Sequence, residues 1–162
     1  MDFEQRLQRA VERGTRAAEA KRRVEAEQAL SEEQLKRLHS QYRLQLSEYI
    51  ERCLAKLPQY FPGFQFETVV SDRGWGAAVS VDELQLARGG RRSTSFSRLE
   101  LVVAPFNSAH VLELAARGTI HNKEVYHRSH YQLLAEFQLE PFEGLVDLWV
   151  PEFAELYAGS RG

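Results

Sequence analysis

Four of the five histidines, His110, His121, His127 and His130, fall within 21 residues of one another, and Glu124 lies among them. Imidazole is the usual side-chain ligand for zinc and other first-row metals, and a carboxylate can share such a site. His121, Glu124, His127 and His130 are therefore the candidate ligands for a metal-dependent enzyme or metal-binding protein. Secondary structure decides whether the chemistry is feasible. On a helix His127 and His130 occupy adjacent turns at i, i+3 and could share an ion. On a strand they project from opposite faces and cannot. No H-E-x-x-H or Cys/His pattern accompanies them. The competing reading is a set of surface or interface histidines interleaved with Tyr126, Arg128 and Tyr131.

A second candidate is Arg88-Gly89-Gly90-Arg91-Arg92-Ser93-Thr94-Ser95. Glycines allow backbone N–H groups to turn toward an anion, and Arg88, Arg91 and Arg92 could clamp a phosphate. The stretch lacks the Lys-Ser/Thr ending of a P-loop and its strand-to-helix setting. A solvated hairpin loop is the plainer expectation. Its arginines, with those of the N-terminal segment, are also the only route to nucleic acid, and no ribonucleoprotein motif supports that. Gly74-Trp75-Gly76 sets a large ring between two residues that permit close approach; a Trp closing one end of a small core, against Trp149, is expected there. The lone Cys53 lies on the apolar side of a helical pattern, where an inert buried thiol is expected. No nucleophile, base and orienting acid form a recognisable set. A non-catalytic chain without a cofactor is the expectation.

The elements that must position these residues differ sharply along the chain. The first 57 residues contain no proline and a single glycine, Gly14. Rich in Ala, Leu, Glu, Gln and Arg, they predict a helical arm over 1–57, which as one rod would span about 85 Å. Its first half carries a ladder of Phe3, Leu7, Ala10, Gly14, Ala17, Lys21, Val24 and Gln28, too small and polar after Leu7 to hold a coiled coil alone. Its second half carries a stronger row, Leu35, Leu38, Tyr42, Leu46, Tyr49, Cys53 and Leu57, widened by Leu44, Ile50 and Leu54. A face that broad is expected against a sheet or in a bundle. Leu35, Leu38, Tyr42, Leu46, Tyr49 and Leu57 are accordingly the expected interface of a homodimer, because the row looks too long for a domain of about 100 residues to cover. Ser31-Glu32-Glu33-Gln34 has the form of a capping box and allows a break near residue 30, although no Gly or Pro is nearby to make the turn. Pro58 is expected to end the helix.

Residues 63–159 read as a compact α+β domain: an antiparallel sheet of four or five strands and a C-terminal amphipathic helix packed on it. Strands are expected around Phe64–Val70, from Trp75 with a bulge near Asp82–Glu83, at Leu99–Val103 with Arg98 and Glu100 facing out, and from Leu112. Residues 120–137 read either as a hairpin turning at His121-Asn122 into a fifth strand, Glu124–Tyr131, or as a helix. The final helix should bury Phe142, Val146, Trp149, Phe153 and Leu156, tolerate Pro151 with a kink, and stop at Gly159.

A net charge of −2 with 27% charged and 43% apolar residues describes an ordinary globular protein with no global pull toward nucleic acid or anionic lipid. The charged N-terminus lacks a signal-peptide core, and no apolar run approaches the roughly 20 residues of a membrane span. One cysteine excludes an intrachain disulfide. A cytoplasmic, soluble chain is expected.

Overall fold

The computed structural model describes residues 2–86 and 90–161. It divides into two compact units, Met1–Arg37 and Leu38–Gly162, and the division falls inside the first helix, α1 (Phe3–Leu54). The absence of helix breakers explains α1: Ser31 lies inside the helix, so the capping box is not used as a start. Asp2 caps it instead, its Oδ1 accepting from the Gln5 N–H at 2.8 Å.

Within the first unit every described side chain from Asp2 to Gln28 is exposed. Phe3, Leu7, Val11 and Val24 retain 76, 53, 61 and 52% of their accessible surface.

Within the second unit, α1 ends at Leu54, ahead of Pro58. Pro58 occupies the first turn of a separate short helix, α2 (Leu57–Tyr60), where its missing N–H costs nothing. Five strands follow: β1 (Gln65–Ser71), β2 (Gly74–Leu86), β3 (Arg92–Val103), β4 (Val111–Ile120) and β5 (Lys123–Leu133). Each pairs antiparallel with the next, giving the order β1-β2-β3-β4-β5, a meander as the alternating pattern predicts. The ambiguous segment is a hairpin. His121 and Asn122 both adopt positive φ, +47° and +69°, as a two-residue primed turn requires. A single 3-10 turn (Leu134–Glu136) then leads to α3 (Leu139–Ser160).

One sheet face carries the helices. Ala77, Val79, Leu99, Leu101, Val103, Leu112, Leu114 and Ala116 are fully buried there, with Leu46, Ile50 and Leu54 of α1 and Phe142, Val146 and Phe153 of α3 at 0–1% exposure. Each of these side chains larger than alanine contributes about 1.5–3 kcal/mol. Tyr42 lies 4.1 Å from Phe137, just ahead of α3, between ring centroids, and the Tyr49 hydroxyl donates to Asp147 of α3. α3 approaches β4 closely because Gly118 has no side chain. A Cβ there would lie 2.8 Å from the Phe153 ring and from Tyr126 Cβ.

Four expectations are corrected. The register of β2 on β3 runs without interruption from Trp75 to Leu86, so there is no bulge at Asp82–Glu83. Glu83 keeps its parity and faces the helices, where the Tyr157 hydroxyl donates to its carboxylate; the only register shift in the sheet lies between Gly118 and Thr119, among the described residues. Tyr157 rather than Leu156 is buried at the end of α3, Leu156 remaining 46% exposed, and the helix continues through Gly159. Trp75 does not close the core; it stays 44% exposed with the Arg43 guanidinium 3.2 Å above its ring.

Candidate functional site

β-strand geometry settles how the histidines are placed. His127 and His130 lie on β5 with opposite parity, opposite Arg117 and Leu114 of β4. His130 faces the helices, its ring 5.3 Å from Phe142, while His127 is exposed on the other face. His121 sits at the hairpin turn, its Nδ1 3.1 Å from Ser95 Oγ and its Nε2 3.3 Å from Ser160 Oγ. Glu124 pairs with Arg117 at 3.6 Å, and His110 stacks on Phe106. Among the described residues no three His, Cys, Asp or Glu side chains converge as metal ligands. Arg91 and Arg92 are exposed where β3 begins, and Arg88 lies outside the described residues.

The expected interface divides between the chain itself and solvent. Leu46 and Leu57 are buried within the second unit, at 0 and 6% exposure. The cover that the length of the row seemed to demand from a partner is supplied there by the chain's own sheet and α3. Leu35, Leu38, Tyr42 and Tyr49 are partly buried. The Tyr49 phenol is held protonated well above its ordinary range by its hydrogen bond to Asp147 and by burial. Cys53 is half-buried, and burial raises its thiol pKa, as an inert cysteine requires. It borders an apolar groove of about 430 Å³ with Lys56, Tyr60, Val146 and Pro151.

The wholly exposed surface is the N-terminal half of α1. Phe3, Leu7 and Val11 recur at i, i+4, i+8 and form one stripe, beside the small residues Ala10, Gly14 and Ala17. Support within the helix is slight: the pairs Arg16–Glu12 at 3.7 Å and Arg37–Glu33 at 3.5 Å are exposed and contribute about 0.3–0.5 kcal/mol each.

Two features escape the sequence. His39, outside the histidine group, is the most buried of the imidazoles at 3% exposure, with Nε2 3.1 Å from the Ala104 carbonyl oxygen and its ring edge-on to Phe106. Burial lowers its pKa, only partly offset by that backbone bond.

The second is Glu100, expected to face outward into solvent. It does lie on the face away from the helices, yet it is 4% exposed. Arg73 Nη2 at 3.0 Å and Arg98 Nη2 at 3.2 Å both reach its Oε2, and Arg98 Nη1 also contacts Glu67 at 2.5 Å. Burial opposes the charge of Arg98, but its hydrogen bonds to Glu67 and Glu100 outweigh that and raise its pKa. The Oε1 atom of Glu100 is buried and has no hydrogen-bond partner among the described residues. An unmet buried acceptor costs about 1–3 kcal/mol.

Among the described residues no helix is long and apolar enough to cross a membrane. Comparison with protein-family models, with characterised proteins and with solved structures finds no match to this chain.

Proposed function

We propose that this chain is a non-catalytic interaction module that self-associates, as a homodimer, through the N-terminal half of α1. The observation that carries the reading is the ladder of Phe3, Leu7 and Val24, with Val11 beside Leu7, all four of which stay more than half exposed on a helix. An isolated helix gains little in water without an apolar face to bury. Gly14 and Ala17, on the same ladder, allow a second helix to approach closely, in a coiled-coil-like pairing. Acidic and basic residues alternate along this segment, which favours a copy of itself over a partner of strong single sign. A cytoplasmic setting belongs to the same reading, on the strength of a single, half-buried thiol.

Magnitudes set the affinity. Burying the four exposed apolar side chains yields about 1.5–3 kcal/mol each, and association costs about 4–15 kcal/mol. A dimer in the micromolar range, dependent on concentration, is the expectation. Sedimentation velocity on the full chain at tens of micromolar should give twice the 18.6 kDa chain mass. The double substitution Leu7→Glu, Val11→Glu should return it to the mass of one chain, with the near-ultraviolet signal of the aromatic core unchanged. A single-chain mass for the unmodified protein, with the arm helical by circular dichroism, would defeat the reading.

A further inference from the structure

On the N-terminal half of α1, Arg6, Arg9, Glu12, Arg13 and Arg16 line an open groove of about 560 Å³. The arginines recur at steps of three, four and three, so one face of the helix carries all four, and all are exposed. Glu12 is the single acid between Arg6 and Arg16, and it is taken by Arg16 at 3.7 Å. Among the described residues Arg6, Arg9 and Arg13 have no carboxylate partner. Like charges three and four residues apart repel and destabilise the helix that carries them. A polyanion along the groove relieves that repulsion. At about 0.1 M salt charges act over about 10 Å, so this stripe, and not the net charge of −2, decides what approaches it.

The alternation of signs along the sequence becomes a segregation around the helix axis. At 3.6 residues per turn the arginine stripe is centred about 140° from Phe3, Leu7 and Val11, and Glu4 and Glu19 fall outside it. The apolar face assigned above to a second copy is left free, so pairing and anion binding can each fail alone.

That angle also selects among polyanions. On an anionic membrane the apolar stripe would sink into the headgroup boundary and turn the arginines away from the lipid phosphates. A single-stranded nucleic acid draws much of its affinity from stacking on aromatic rings, and the stripe carries none. A duplex needs no such platform. Each of its strands presents one phosphate per about 3.4 Å of axis, and a stripe about 15 Å long faces several of them. Guanidinium groups pair with phosphate through two parallel hydrogen bonds. We infer that this face of α1 binds the phosphate backbone of a nucleic-acid duplex, without reading its sequence.

Fluorescence anisotropy of a labelled DNA duplex of about 20 base pairs, titrated with the full chain, tests this. Three unpaired guanidinium groups predict a slope of log K against log salt of about −2.7, which is an affinity loss of about 40-fold between about 50 and 200 mM salt. The double substitution Arg9→Gln, Arg13→Gln keeps good helix formers at both positions. It should weaken binding at least about tenfold at the lower salt and flatten the slope to about −1. Its helicity and sedimentation should match those of the parent; altered sedimentation would tie the stripe to pairing and overturn the inference. An RNA duplex of the same sequence is run alongside, and binding by either duplex supports it. Saturable binding by neither duplex at the lower salt would overturn it, as would a salt slope unchanged in the double variant. So would tighter binding of the matching single strand, or capture by phosphatidylserine-containing vesicles without duplex binding.

Discussion

At the scale of single residues, the most consequential side chains are those whose surroundings oppose their chemistry. His39 is buried with one ring nitrogen on a carbonyl, and burial holds its pKa below the ordinary 6.5. Below about pH 6.5 the unfolded chain therefore binds more protons at this position than the folded one, so stability falls as the solution is acidified through that window. Arg43, one turn along, adds to the effect. His39→Gln retains a donor for Ala104 and removes the titration. The loss of stability between about pH 7 and pH 5, measured by urea unfolding, should be smaller in the variant than in the parent. Gly118 makes a different kind of demand. Its Cβ position is occupied by the Phe153 ring and Tyr126 Cβ, each 2.8 Å away, so Gly118→Ala should destabilise by about 1–3 kcal/mol through overpacking. An unchanged urea midpoint would show that α3 does not rest on β4 there. Neither requirement was legible locally. His39 looks like one more polar residue in a helix, and Gly118 like an ordinary strand glycine, until the partner across space is known.

At the scale of elements, the chain's local chemistry reads well wherever one element is its own explanation. The His121-Asn122 turn and the alternation of β3 and β4 follow from residue type and period. Failures arise where an element answers to a neighbour. Glu83 breaks the apolar parity of β2, which suggests a bulge, yet it keeps its place because Tyr157 of α3 donates to it. Burial and that contact raise the Tyr157 phenol to about 12. α3 itself accommodates Pro151, whose ring nitrogen cannot donate to the Asp147 carbonyl one turn earlier. Because the position is exposed and helical, Pro151→Ala should restore that bond and raise stability by about 1–3 kcal/mol. A lower urea midpoint in the variant would mean that α3 depends on the proline for its path along the apolar groove.

At the scale of the whole molecule, the two units differ in how they are held. The unit 38–162 has a continuous core and should resist proteolysis at any concentration. The N-terminal half of α1 has none of its own, so its order depends on association if the proposed pairing is right. Trypsin cleavage at the arm's arginines should slow as protein concentration rises across the dissociation constant, while cleavage elsewhere does not change. Cleavage independent of concentration would count against a dimer.

The sequence by itself determined the class of this protein: a long N-terminal helix, an antiparallel meander and a closing helix. Helix propensity, strand alternation and turn residues are local properties, and they act before any distant contact forms. Only the tertiary structure decided what each apolar or charged row faces. It buried Leu46 and Leu57 within the unit 38–162, separated the four clustered histidines onto two loops and the two faces of β5, and sank Glu100 beneath two arginines. Those outcomes depend on register and on crossings between elements remote in sequence, where one missing Cβ or one tyrosine hydroxyl changes what lies within reach.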